Sequence, residues 1–421
     1  MARKMKDSGI EWIGEIPEGW ETCLYKYCCS VQPGYPFDSA KFSNSSTDGF
    51  PLIRIRDITS GEIQTYYTGE YPPNYIVTAG DLLVGMDGDF NVRWWNNDAA
   101  LLNQRCCRVT EKDSVLRRFL YYVLPFTLQR INTLTYATTV KHLANGDILN
   151  SFIAFPSLPA QQNIVHYLDT VCSEIDAMLS KTRSSIEEYK KLKQAVITQA
   201  VTKGVRGERE MKDSGVEWIG EIPKEWVCEK IKYATSISRG LFNHRPRNDE
   251  RYYNGKYPFI QTGDVANATK YIVSYSQTLN ELGKSVSKEF PKGTLTMTIA
   301  ANVGDVAILN FDAYFPDSVV GFIPNKNIRT LYLFYVFSAM KDEFTRTAIK
   351  STQLNLNIDR VKETFIPVTL NVNEQCEIEN YLESKCAEID GLIAKKEQLV
   401  KELESYKKSL IYEVVTGKRE V

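Results

Sequence analysis

From Ile164 to Val196 the apolar positions step by four and three, through Leu168, Val171, Ile175, Met178, Tyr189 and Leu192. The same stepping returns from Ile378 to Leu410, through Leu382, Ile389, Leu392, Leu399, Leu403 and Tyr406, at a fixed offset of 214 residues (378 against 164). That spacing is the seam of a helix pair, and charged residues fill much of the space between its members. Neither stretch contains proline, and each, at ~40 residues, predicts a helix of ~60 Å. Pro156 and Pro159 precede the first, Pro367 precedes the second, and Gly204 and Gly417 follow them. Thr182, Ser185, Lys385 and Lys396 make the seam too polar for a long homodimeric zipper, so the two helices are expected to pair within the chain, where their mutual concentration is high. The alternative is two amphipathic helices lying on separate globular cores.

Between the helices the period changes to two. "PLIRIRDI" (51–58) and "PFIQTGDV" (258–265) align at proline, isoleucine and aspartate, and "TLTMTIA" (294–300) and "VAIL" (306–309) are strand-like runs broken by Gly, Asn and Asp turns. Mixed α and β domains are expected. Ahead of each domain stands a near-verbatim repeat: residues 5–17, "MKDSGIEWIGEIP", differ from residues 211–223 only at Ile10 against Val216. Duplication at so long a period means units of domain size and not a solenoid. The expected organisation is a first mixed α/β domain over 1–158, a long helix over 159–203, a second such domain over 204–372 and a second long helix over 373–421. Trp12 and Trp20, repeated as Trp218 and Trp226, anchor each domain entrance against a helix end, while Ile175, Leu192, Ile389 and Leu403 carry the helix seam.

Composition narrows the function. Of 421 residues, 43% are hydrophobic and 24% charged, and the net charge is −1. No run approaches the ~20 apolar residues of a membrane span, and "MARKMKDSG" lacks an apolar signal core, so a cytoplasmic protein is expected. Nine cysteines without C-x-x-C spacing and three isolated histidines predict free, mostly buried thiols and no metal site. A near-neutral chain is not a self-sufficient, strongly basic DNA binder.

Catalytic constellations are missing. "YPPNY" (71–75) has no Asn or Asp ahead of its prolines, "VGMDGD" (84–89) lacks the lysine and threonine of a phosphate loop, and Asp317 has no nearby Glu-x-Lys. What remains is a set of basic and polar loop residues of the types that read base edges and hold phosphates. "SRGLFNHRPRNDERYYNGK" (238–256) supplies Arg245, Arg247 and Arg251, joined by Lys350 and Gln353; the first domain offers Arg54, Arg93, Arg105 and Lys141.

The doubled "MKDSG(I/V)EWIGEIP", the paired strand segments, and "STQLNLNIDRVKETFIPVTLNVNEQCEIENYL" (351–382) leading into the second helix together resemble the DNA-specificity subunit of type I restriction-modification systems. The resemblance runs over essentially the whole chain. It implies an α+β protein with two mixed α/β target recognition domains in pseudo-two-fold arrangement, separated by an antiparallel coiled coil of two long helices. It implies that each domain reads half of a bipartite, asymmetric DNA site and that the chain itself has no catalysis and no cofactor. S-adenosylmethionine, ATP and Mg would belong to partners: two methyltransferase subunits that methylate an adenine in each half-site, and restriction subunits that cleave. In the first half "TTVKHLANGDI" departs from the second half's "STQLNLNIDRV", which loosens any transfer onto Lys141. The rival class is a coiled-coil interaction scaffold with two ligand-binding modules and no DNA binding; a self-sufficient methyltransferase would have to bind S-adenosylmethionine alone.

Overall fold

The computed structural model describes residues 3–134, 141–347, 349–350 and 354–421, with the backbone alone for Thr347, Ile349, Lys350, Leu354 and Asn355. The chain forms two compact units, Met1–Thr182 with Gln398–Val421, and Arg183–Glu397. The division passes through both long helices, Leu158–Lys203 and Val372–Val415.

In the first unit, the chain enters through a hairpin in which Met5–Asp7 pairs with Glu15–Pro17. Gly9, at φ +70°, turns the chain there, and its N–H is held by the Asp7 carboxylate at 3.0 Å. Ile13, Ile16 and Trp20 are buried, and the Tyr412 hydroxyl at the end of the second long helix donates to the Trp12 carbonyl at 2.8 Å. The domain that follows has a four-stranded antiparallel sheet in the order Val92–Trp94, Leu82–Gly85, Cys106–Glu111, Cys29–Pro33. A second, five-stranded sheet contains Phe50–Ile53 beside Ala100–Leu102, and the helix Arg117–Leu134 covers the core. Glu21–Leu24 and Phe152–Phe155 pair antiparallel, so the chain enters and leaves the domain side by side before the long helix begins.

The second unit repeats this plan. Met211–Asp213 pairs with Glu221–Pro223, Trp226 is 1% exposed, and Ile219 and Ile222 pack with Ile197 and Val201 at the end of the first long helix. Its central sheet runs Thr235–Arg239, Val319–Pro324, Leu295–Thr298, Val306–Leu309, Tyr271–Ile272. Val227–Lys230 with Phe365–Val368 closes the domain.

Within each unit the two helices run antiparallel and share an ion pair. In the second unit Lys396 stacks on Tyr189 and Lys193 bonds Asp390 at 2.6 Å, so one number rises as the other falls. In the first unit Lys407 bonds Asp176 at 2.6 Å; both of its members are the repeat counterparts of Asp390 and Lys193 (176 + 214 and 193 + 214).

Two sequence expectations need correction. "PLIRIRDI" and "PFIQTGDV" are strands only to Ile53 and Phe259; the rest turns into short helices, Ile55–Ser60 and Thr262–Asn267. The shared aspartate causes this, because Asp57 and Asp264 accept the backbone N–H three residues before them and start a helical turn. The helix seam holds at Ile164, Leu168 and Ile175 but elsewhere in the first helix moves one position on, to Cys172, Leu179, Ile186 and Ile197 in place of Val171, Met178, Ser185 and Val196. Met178 and Leu192, expected on the seam, are 55% and 48% exposed. Burial thus recurs every eleven residues (164, 175, 186, 197), a period of about 3.67 residues per turn that drifts in the opposite sense to a seven-residue repeat.

All nine cysteines are free and six are buried. Burial pushes the Cys29 and Cys107 thiols up to about 12, so they behave as small core residues.

Candidate nucleic-acid interface

Each recognition domain is tied to a long helix by a buried glutamine in the helix's first turn. The Gln161 amide accepts from the Leu116 N–H at 2.9 Å and donates to the carbonyls of Ser114 at 3.2 Å and Pro156 at 2.9 Å. Gln375 accepts from Arg329 N–H and donates to the Asn327 and Thr369 carbonyls, all at 2.8 Å. Two turns on, a carboxylate on the helix takes a tyrosine hydroxyl and a cation from the domain. Asp169 takes Tyr122 at 2.5 Å and Arg118 at 2.8 Å, while Glu383 takes Tyr335 and Lys270. Burial would raise the Glu383 carboxyl, but the Lys270 and Tyr335 hydrogen bonds outweigh it and hold it below its ordinary value. Burial, reinforced by the neighbouring carboxylate, pushes both tyrosine hydroxyls up, so they stay donors.

The faces held by this frame carry the predicted contact residues. In the second unit Arg245, Arg247 and Arg251 are exposed on one loop. Arg247 pairs with Asp317, and Arg245 lies 3.6 Å from the same carboxylate while donating to the Phe242 and His244 carbonyls at 2.7 and 2.8 Å. Arg251 grips Asp249 at 2.7 and 3.0 Å, which holds that carboxyl far below the usual range. Exposed pairs of this kind are screened by water and salt, so a phosphate can displace the carboxylate at little cost. Lys350 lies in a two-residue strand, Ile349–Lys350, paired with Leu354–Asn355. Gln353 lies outside the described residues.

In the first unit the four predicted residues are not gathered into one cluster. Arg105 pairs with Asp87 at 2.9 Å, and Asp87 also takes the His142 ring at 2.7 Å. Lys141 donates to the Asn132 carbonyl and side chain at 2.8 and 2.6 Å. Arg93 has a scaffolding job: it donates to the carbonyls of Ile58 and Thr59 at 2.5 and 2.6 Å, satisfying the end of the helix Ile55–Ser60. Arg54 alone of the four has an uncommitted head. Among the described residues no hydrogen bond or ion pair engages its guanidinium, which lies 5.7 Å from the centre of the Phe42 ring.

Sequence reasoning missed an open groove of about 540 Å³ in the first unit, lined by Asn44, Ser46, Arg56, Ile63, Gln64 and Tyr66. Its polar side chains are of the base-reading and phosphate-holding types. The signal was present in "PLIRIRDI", where Arg56 sits between fixed isoleucine and aspartate positions. A larger cleft in the second unit, about 630 Å³, is lined by Lys193, Lys270, Lys341, Glu383, Asp390 and Asp305 among others. Lys193, Lys270 and Lys341 are paired to those carboxylates at 2.5–2.6 Å, and the fourth lysine of the lining, Lys190, bonds Glu187 at 2.8 Å, so every cation of the cleft is already engaged.

Of the scaffold residues, Trp20, Trp226, Ile175 and Ile389 are buried, Trp12, Trp218 and Leu403 are half-buried, and Leu192 is exposed. Trp218 donates to the Phe365 carbonyl at 3.3 Å.

Known proteins share this plan. The chain is 28% identical over 413 residues to the specificity subunit of the type I restriction enzyme EcoBI of Escherichia coli, covering 93% of this chain and 84% of that one. It is 23% identical over 425 residues to the MjaVIII specificity subunit of Methanocaldococcus jannaschii, covering 96% and 93%. A chain from a solved type I restriction-modification system superposes with a TM-score of 0.72 at 16% identity, over 96% of this chain and 99% of that one, which places the fold. The family model described as the type I restriction modification DNA specificity domain matches twice, at residues 17–188 and 237–402, once in each half of the duplication. With two such matches spread over most of its length, the chain belongs to the type I restriction-modification DNA specificity family.

Proposed function

We propose that this chain is the sequence-reading, non-catalytic subunit of a type I restriction-modification complex, each domain reading one half of a bipartite, asymmetric site. One observation carries the reading: a frame repeated to the hydrogen bond, at Gln161 and Gln375, holds two surfaces whose exposed residues differ. A protein needing one ligand twice would keep both surfaces; a protein reading an asymmetric sequence must diverge them. The paired helices set the gap between half-sites and dock two methyltransferase subunits, and restriction subunits complete the complex. S-adenosylmethionine, ATP and Mg serve those partners, and this chain needs no cofactor of its own. Among the described residues no helix is long and apolar enough to cross a membrane, and the complex works on DNA in the cytoplasm. With a net charge of −1 the chain does not supply the whole electrostatic grip, which the partners share.

Retardation of a random-sequence duplex by the chain, alone and with its methyltransferase partner, tests this. Salt-dependent binding that strengthens when the partner is added is expected. No binding in either state would instead favour the ligand-binding scaffold.

A further inference from the structure

The segments from Pro51 and Pro258 lie 207 residues apart (258 against 51) and hold one backbone position identically. Each has a buried isoleucine just before it, Ile53 or Ile260, both 0% exposed. The next residue is Arg54 or Gln261, extended at φ −109°, ψ 168° and φ −92°, ψ 166°. Its N–H donates to Asp57 or Asp264 at 2.8 Å in both domains. The main chain is therefore fixed on both sides in the same way, while the side chain changes from one base-reading type to another.

We infer that Arg54 and Gln261 are one duplicated specificity position, each contacting a base pair in its own half-site. This rests on the DNA-reading function proposed above. Arginine fits the O6 and N7 acceptors of guanine, and glutamine fits the N6 donor and N7 acceptor of adenine. Arg54 is exposed and, among the described residues, has no pair to break, and its approach to Phe42 limits the rotamer freedom lost on binding. Gln261 is steadied by donating one amide hydrogen to Gln277 Oε1 at 2.8 Å, and its second amide hydrogen remains for N7. Arg93, Arg105 and Lys141 in the same domain are all engaged elsewhere, so the two capped positions are the ones the fold both fixes and leaves free to vary.

The test is methylome sequencing of a host that expresses the full chain with its own methyltransferase subunits, comparing wild type with Arg54→Gln, Gln261→Arg and Arg54→Lys. Wild type should give a bipartite motif. Arg54→Gln should lower discrimination at one base pair of one half-site about 10- to 100-fold, the range of a single good bidentate contact, and leave the other half intact. Gln261→Arg should do the same in the other half. Arg54→Lys keeps the charge but loses the fork, so it should relax the same base pair while methylation elsewhere persists. Wild-type discrimination at every base pair in all three variants overturns the inference while leaving the DNA-reading function standing. A wild-type complex that yields no bipartite motif overturns both.

Discussion

At the first turn of one long helix Gln161 joins three backbone groups of its domain, and at the first turn of the other Gln375 joins the three counterparts. The exposed loops have no such match: Arg245, Arg247 and Arg251 crowd around Asp317 and Asp249 in one domain, while in the other Arg105 and Lys141 meet around Asp87 and Asn132 and Arg54 lies on a different segment. Selection on packing and selection on contact have thus acted on different atoms of the same duplicated fold. Between them lies an intermediate class. The domain-to-helix lock keeps its tyrosine and its carboxylate charge but exchanges Arg118 for Lys270 and Asp169 for Glu383. The tyrosine and carboxylate keep their places there, while the cation comes from the tyrosine's own helix in one unit and from the loop before Tyr271 in the other.

If the frame is one device used twice, matched substitutions should cost matched amounts. The largest effect is expected for the entrance tryptophans. Trp20→Ala and Trp226→Ala each empty a nearly fully buried site and should destabilise their units by about 3–5 kcal/mol in denaturant titration. Costs differing by more than about 2 kcal/mol would show that the two entrances are not equivalent.

Next come the buried glutamines. Gln161→Leu and Gln375→Leu leave one N–H and two carbonyls without partners, at about 1–3 kcal/mol overall by the same titration. A near-zero cost in one copy would mean that its backbone groups find water.

The lock should follow. Tyr122→Phe and Tyr335→Phe each remove a hydrogen bond to a carboxylate, about 1.5 kcal/mol. The thermal shift of each variant checks it, and equal shifts despite the exchanged partners would show that geometry governs.

The smallest effect separates the two units. Lys230 and Lys232 hold the exposed Glu363 carboxyl at about 2, whereas the first unit has Asn150 at the repeat counterpart (363 − 213). A carboxyl with a depressed folded value adds stability above its unfolded value of about 4.5 and loses it as pH falls towards 2. Glu363→Gln should therefore weaken the second unit slightly at pH 7 and flatten its loss of stability between about pH 4.5 and 2. A pH series of melting curves would show it, and an unchanged acid limb would remove the pair from the account.

Much of the frame could be read from the chain because duplication exposes it. Residues 5–17 and 211–223 repeat, and the helices stand out through their spacing and the prolines around them. The seam was legible at Ile164, Leu168 and Ile175 but was misplaced by one position at Cys172, Leu179, Ile186 and Ile197, because a seven-residue template ignores the face each helix turns to its own domain. The capped turns at Asp57 and Asp264 were hidden because an aspartate ending an apolar run looks like the edge of a strand. Arg93 was a contact candidate by residue type alone, and only tertiary structure brings the Ile58 and Thr59 carbonyls to it. Residue type marks what a side chain is able to do; its neighbours decide what it is free to do.

The central claim is that one repeated frame carries two independent readers. It is tested most directly by replacing residues 21–150 with the corresponding domain of a relative of different specificity and sequencing the methylome of the host. One half of the methylated motif should change to that relative's half-site while the other half stays the same. A motif altered in both halves would contradict the claim.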